Sequence, residues 1–152
     1  MKRAYIAHPL RGLDQKNGTN NDKNRQKVTE ICREIANFEN EYAVIPVSPL
    51  HAFSYLDDFD QDKVLEFCFE LLDSCSELWV FGSWWQSMGV MKEISHALDG
   101  GKKTFIYGDG PNSGRVEISS YKDLCCFLQG YIYRTSQTAA VEAEPAEAMP
   151  EW

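Results

Sequence analysis

No apolar run in this sequence approaches the ~20 residues needed to cross a bilayer, and no charged-then-apolar leader opens it. Membrane spanning and secretion are therefore not expected, and a cytoplasmic location is. Positive charge is also scarce: 15 Lys and Arg stand against 23 Asp and Glu, for a formal net charge of −8. A general nucleic-acid binder would show a basic face, so no nucleic-acid partner is expected. Metal-site spacing is missing too. The five cysteines (Cys32, Cys68, Cys75, Cys125, Cys126) are odd in number and include no CxxC pair. They read as reduced, mostly packed thiols, and neither a metal nor a redox cofactor is expected. No internal repeat is present.

What the chain does contain is one domain's worth of core. With 152 residues and 43% hydrophobic content it can bury a real interior. The domain is expected over 1–134. From Thr135 the sequence is biased to Ala, Glu and Pro without periodicity, so 135–152 reads as a disordered acidic tail. Four glutamates lie there with no Lys or Arg after Arg134, which leaves the body at about −4 by subtraction from −8.

The pattern along the body alternates strand and helix. Strands are expected at Arg3–Ala7, Tyr42–Pro46, Glu77–Phe81 and Lys103–Tyr107, with a short fifth at Val116–Ile118. Proline should close the first two, because it cannot donate to a sheet ladder. Helices are expected over Asn21–Phe38, Asp60–Cys75 with Asp60 as N-cap, Ser87–Leu98, and Tyr121–Leu128. Strands alternating with helices imply a parallel sheet covered on both faces.

One stretch organises the rest. Leu78–Phe81 is a buried-strand pattern, Gly82–Gln86 a loop, and Ser87, Met88 and Gly89 fall where a helix begins. Free N–H groups at such a terminus form a ready anion site. Glu93 follows six residues after Ser87, within about 9 Å along the helix axis. An anion seat that close to a carboxylate suits a sugar phosphate, unless Glu93 is merely a solvated side chain on a capped surface helix. The loop after the first strand, His8-Pro9-Leu10-Arg11-Gly12, supplies Arg11, whose guanidinium matches phosphate geometry. The aromatic segment Val47–Asp58 suits recognition of a base or sugar; its His51 reads as structural or, alternatively, as an acid.

These residues carry a family resemblance. Tyr5-Ile6-Ala7-His8-Pro9-Leu10-Arg11-Gly12, Pro46-Val47-Ser48-Pro49-Leu50-His51-Ala52, Glu77–Gly82 and Ser87–Ala97 together resemble the nucleoside 2-deoxyribosyltransferase-like superfamily over roughly residues 3–108. The likeness is greater to a small branch found in phage and bacterial genomes, similar to 2′-deoxynucleoside 5′-phosphate N-hydrolases. It implies a flavodoxin-like, Rossmann-like sheet of four to five parallel strands, and chemistry at the N-glycosidic bond of a (deoxy)nucleoside or its 5′-monophosphate. By the same resemblance Glu93 matches the nucleophile and Tyr5 the tyrosine that touches it. Ser87 with Arg11 matches the hydrolases that hold a 5′-phosphate, and His8, Met88 and Gly89 join the substrate-binding set. Glu93 is expected to be kept ionised by the positive end of its own helix.

Two departures stand out. Ser76 occupies the position where the family often has an Asp that helps protonate the leaving base, and His8-Pro9 replaces a small pair. Loss of a general acid slows departure of a poor leaving group by ~100-fold or more; Asp57 or His51 is the available substitute. The alternatives are a non-catalytic nucleotide-binding or sequestering protein, a deoxyribosyltransferase, and an interaction scaffold. The resemblance also implies a homodimer or higher homo-oligomer, with Trp84 and Trp85 either at its interface or lining a base pocket.

Overall fold

The computed structural model describes residues 1–11, 19–37 and 43–130, in two compact units, Met1–Ser119 and Ser120–Trp152. The first holds a five-stranded sheet of β1 (Lys2–Ala7), β2 (Val44–Val47), β3 (Glu77–Val80), β4 (Lys103–Tyr107) and β5 (Arg115–Ile118). Its helices are α1 (Thr19–Asn37), α2 (Pro49–Ala52), α3 (Gln61–Asp73) and α4 (Met88–Asp99), with single 3-10 turns at Ser54–Leu56 and Trp84–Gln86.

The strand order is β2-β1-β3-β4-β5, the flavodoxin-like order. The first four strands are parallel, with Tyr5 opposite Val47 on one side and Leu78 on the other. The fifth departs from the expected parallel sheet: β5 runs antiparallel to β4. Only residues 108–114 join them, and a parallel return needs a dozen or more residues.

Alternation along the strands divides the core between the two faces. One face carries Ala4, Ile6, Trp79, Phe81, Phe105 and Tyr107, packed with Val28, Ile31 and Ile35 of α1. Cys32 packs partly buried beside them, and Phe38, the expected end of this helix, lies outside the described residues. The opposite face carries Tyr5, Ala7, Leu78 and Val80. There α4 packs on β3 and β4, burying Val90, Ile94 and Ala97, and α3 lies beside α4.

Local chemistry sets the ends of the helices. Asp60 caps α3 by accepting from the Asp62 N–H, as expected. Gly101 closes α4 in the left-handed region at φ +68, with the Lys102 N–H on the Ala97 carbonyl and the Gly101 N–H on that of Leu98. That is a Schellman closure, which glycine adopts without strain. Pro46 does not end β2 but sits inside it, opposite Ala4. The strand is at the sheet edge, where a missing N–H deprives no neighbour of a bond.

The second unit is helical over 121–130, with Ser120 Oγ accepting from the Asp123 N–H. The tail expected at 135–152 lies outside the described residues. Among those described, no helix is long and apolar enough to cross a membrane, all five cysteines are free, and no group of His, Cys, Asp and Glu is arranged to hold a metal ion.

Candidate functional site

The order β2-β1-β3 makes the chain leave β1 and β3 in opposite directions, opening a crevice at their carboxyl ends where such folds place ligands. A pocket of about 440 Å³ occupies this place. His8 and Arg11 enter it from the loop after β1; Ser87, Met88, Gly89 and Glu93 enter from α4. Six of the seven residues named from the sequence thus line one cavity. The seventh, Tyr5, is buried in β1, close enough to Glu93 and Cys68 for each to act on its proton.

Ser87 is the N-cap of α4, its Oγ accepting from the Val90 N–H at 3.2 Å. Its own N–H donates to the Trp84 carbonyl. Among the described residues the N–H groups of Met88 and Gly89 have no acceptor, so the positive end of a twelve-residue helix opens at the pocket with two free donors. The Ser87 hydroxyl is thus engaged in fixing the first turn of the helix.

Glu93 lies roughly one and a half turns further on. It lines the pocket while only 7% exposed, so it is not a solvated carboxylate on a surface helix. Burial pushes its pKa up to about 7, against a smaller lowering by the Tyr5 hydroxyl. The expectation is a carboxylate kept ionised by its helix; the burial of Glu93 instead disfavours its charged form. Burial, reinforced by Glu93 and Cys68, holds the Tyr5 phenol well above its ordinary range. Tyr5 Oη and Glu93 Oε2 are near neighbours, but neither has a hydrogen-bond partner of ordinary geometry. Two buried polar atoms left unpaired are costly, and a bound hydroxyl would satisfy both.

His8 turns its ring onto Gly82. The backbone at Gly82 has φ +71, and a Cβ there would sit 2.8 Å from His8 Nε2, so both conformation and space demand glycine. His8 Nδ1 donates to the Pro9 carbonyl at 2.7 Å, leaving Nε2 as the acceptor in the neutral ring. Burial lowers its pKa; the Pro9 hydrogen bond partly opposes this and Lys27 adds to it, and the net shift favours that neutral form.

The remaining wall comes from the segment after β2, fastened to α1 through Asp57. Arg25 Nη2 donates to both Asp57 carboxylate oxygens at 2.8 Å, and Arg25 Nε to the Leu50 carbonyl at 2.9 Å. Arg11 Nη2 donates to the Asp57 carbonyl. Gln61 Nε2 donates to the carbonyl of Phe59 at 2.7 Å and to that of Asp57 at 3.2 Å. The aliphatic and aromatic lining, including Leu50, Phe53, Leu56, Val64 and Leu65, is thereby held over the polar end.

The profile of a family described as "Domain of unknown function (DUF7768)" matches residues 2–107. This chain belongs to the DUF7768 family. No curated protein matches it. The DUF7768 match runs from the start of β1 to the end of β4 and so includes every residue that lines the pocket.

Several expectations change within this DUF7768 domain. Ser76 stands before β3, at the end of the sheet away from the pocket, its hydroxyl on the Arg3 carbonyl. A serine in place of aspartate at 76 therefore has no direct bearing on the cavity. His51 does not line the pocket; its ring nitrogens meet Ser48 Oγ and Thr29 Oγ1 at 2.7 Å each. Asp57 does line it, but Arg25 holds its carboxylate. Neither Trp84 nor Trp85 lines the pocket: Trp84 is buried and meets Trp85 edge-on, and Gln86 is the residue of that turn that reaches the cavity. Sequence reading missed Cys68, Gln61, Gln86 and Lys92 as lining residues. The expected place of Cys68 is the core, and nothing in its spacing separates a core position from one bordering a cavity. The Cys68 thiol is pushed up to about 11 by burial and by Glu93, so it is an inert thiol.

Proposed function

We propose that this protein cleaves the N-glycosidic bond of a (deoxy)nucleoside 5′-monophosphate. The observation that carries the reading is a single pocket bordered by a buried carboxylate, an arginine and two helix-terminal N–H groups that have no acceptor among the described residues. Phosphate is held by the Met88 and Gly89 N–H groups and by Arg11, and the aliphatic wall receives the base. The ionised form of Glu93 attacks the anomeric carbon as the bond to the base breaks, and the electron pair leaves with the base. The sugar then sits on Glu93 as an ester, which water hydrolyses, returning the carboxylate. Tyr5 and the sugar hydroxyls supply hydrogen bonds along the way. The reading expects a homo-oligomer in the cytoplasm, with no metal or redox cofactor.

The test is incubation with a panel of ribo- and deoxynucleoside 5′-monophosphates, followed by chromatography for free base. Base released by wild type and lost in Glu93→Gln supports the reading; release that persists in Glu93→Gln removes Glu93 from its role. Base exchange in the presence of a second free base would reassign the activity to a transferase.

A non-catalytic nucleotide-binding protein is the second reading. It is favoured by the two replacement acids: Asp57 is clasped by Arg25, and His51 lies outside the pocket. Neither is free to protonate a departing base. Calorimetric binding of a monophosphate without any free base would select this reading.

A further inference from the structure

A second cavity, of about 490 Å³, adjoins the first, and the two share His8, Arg11 and Gln86. Each falls within the ~300–1,000 Å³ usual for small-molecule sites. Their linings differ in kind. The first has the apolar wall described above, whereas the second presents Asn24, Lys27, Glu30, Glu34 and Asp109 from α1 and the loop after β4. Carboxylates and an amide accept from and donate to hydroxyls, but offer no face on which a base would stack.

The neck between the cavities is cationic. Arg11 borders both, and the charge of Lys27 is close enough to His8 to lower its pKa. Among the described residues Lys27 forms no ion pair. A monophosphate seated on α4 uses Arg11 but leaves Lys27, which lines only the second cavity, without a role. A second phosphate at the neck would lie between the two cations, and the carboxylates beyond it would repel phosphate while accepting from hydroxyls.

We propose that the ligand is a nucleoside diphosphate-sugar. Its base and first ribose lie in the apolar pocket beside Glu93, its first phosphate on the α4 terminus with Arg11, its second phosphate at the neck between Arg11 and Lys27, and its distal sugar in the polar cavity. This rests on the nucleotide reading above and extends it past the 5′-phosphate.

The experiment is calorimetry on the full chain with matched pairs: ADP-ribose and AMP, UDP-glucose and UMP, GDP-mannose and GMP, dTDP-glucose and dTMP. At least one conjugate should bind ten-fold or more tightly than its own monophosphate. Lys27→Glu, an exposed position on α1, should abolish that advantage while leaving the monophosphate affinity within two-fold. Equal affinities within every pair, or an advantage that survives Lys27→Glu, overturn the diphosphate-sugar assignment and leave the monophosphate reading standing. If no member of any pair binds, the nucleotide reading fails and this inference with it.

Discussion

Replacing Glu93 by glutamine should stabilise the protein, and only at the pH values where the wild-type carboxyl would ionise. Burial raises the Glu93 pKa from 4.5 to about 7. Between those values the unfolded chain has released this proton while the folded chain still holds it. Folded wild type therefore binds more protons, and its stability falls as pH rises through the interval. At about 1.4 kcal/mol per pH unit, the loss reaches about 3 kcal/mol by pH 7 and is constant above it. The glutamine of the variant has no proton to lose and keeps the shape of the side chain. Relative to wild type the variant should gain under about 1 kcal/mol at pH 5 and about 3 kcal/mol at pH 8. For a chain of this size that corresponds to a melting-temperature difference of roughly 6–12 °C at pH 8. Urea melts of both proteins at pH 5 and pH 8 measure it directly. A wild-type-to-variant difference that is the same at both pH values would refute the claim that desolvation governs Glu93. Such a gain on removing a site carboxylate is the usual mark of a group kept for chemistry rather than for stability.

Four further outcomes follow from the same geometry. Release of base should rise roughly ten-fold between pH 6 and pH 8, tracking the ionised fraction of a Glu93 near pKa 7; a rate that falls over this range would instead make Glu93 the acid. Arg11→Ala should weaken a monophosphate by about 10- to 100-fold and leave the parent nucleoside nearly unchanged, as expected of one charge-assisted contact, with titration calorimetry as the readout. Gly82→Ala should cost about 2 kcal/mol or more, from φ +71 and from the 2.8 Å approach to His8 Nε2, as read in a thermal melt. Asp57→Asn breaks the two-oxygen clasp by Arg25; it should cost about 1–2 kcal/mol in urea and weaken nucleotide binding by loosening the wall after β2.

The conflict at Glu93 also bears on the proposed reaction, in which this carboxylate is the nucleophile. A carboxylate must be ionised to attack a sugar carbon, yet its surroundings favour the protonated form. A ligand whose anomeric carbon gains positive charge as the base departs reverses that preference where it matters, because an ion pair in a dry pocket is strong. Tyr5 Oη and Glu93 Oε2, without hydrogen-bond partners among the described residues, would be partnered by the hydroxyls of such a ligand.

Much of this protein was determined by its sequence alone. Alternating apolar strands and amphipathic helices imply a mostly parallel sheet covered on both faces, because side-chain direction follows backbone period. Ser87 followed by Gly89 marks a helix start, and Asp60 another, because caps depend on neighbours a few residues away. Arg11 and Glu93, on the loop after β1 and the helix after β3, were nameable because such folds gather those segments at the carboxyl end of the sheet. Only the tertiary structure decided the rest. The edge position that admits Pro46 and the place of Ser76 at the far end of the sheet depend on which strands become neighbours, whereas the antiparallel β5 was already implied by the short 108–114 connection. His51 and Asp57 looked alike as spare acids until Ser48 and Thr29 engaged one and Arg25 the other. Cys68 at the cavity, the proton affinity of Glu93 and the second cavity beyond His8 arise from residues distant in the chain. A local pattern selects a helix or a strand, but burial and electrostatic environment are sums over everything that packs nearby.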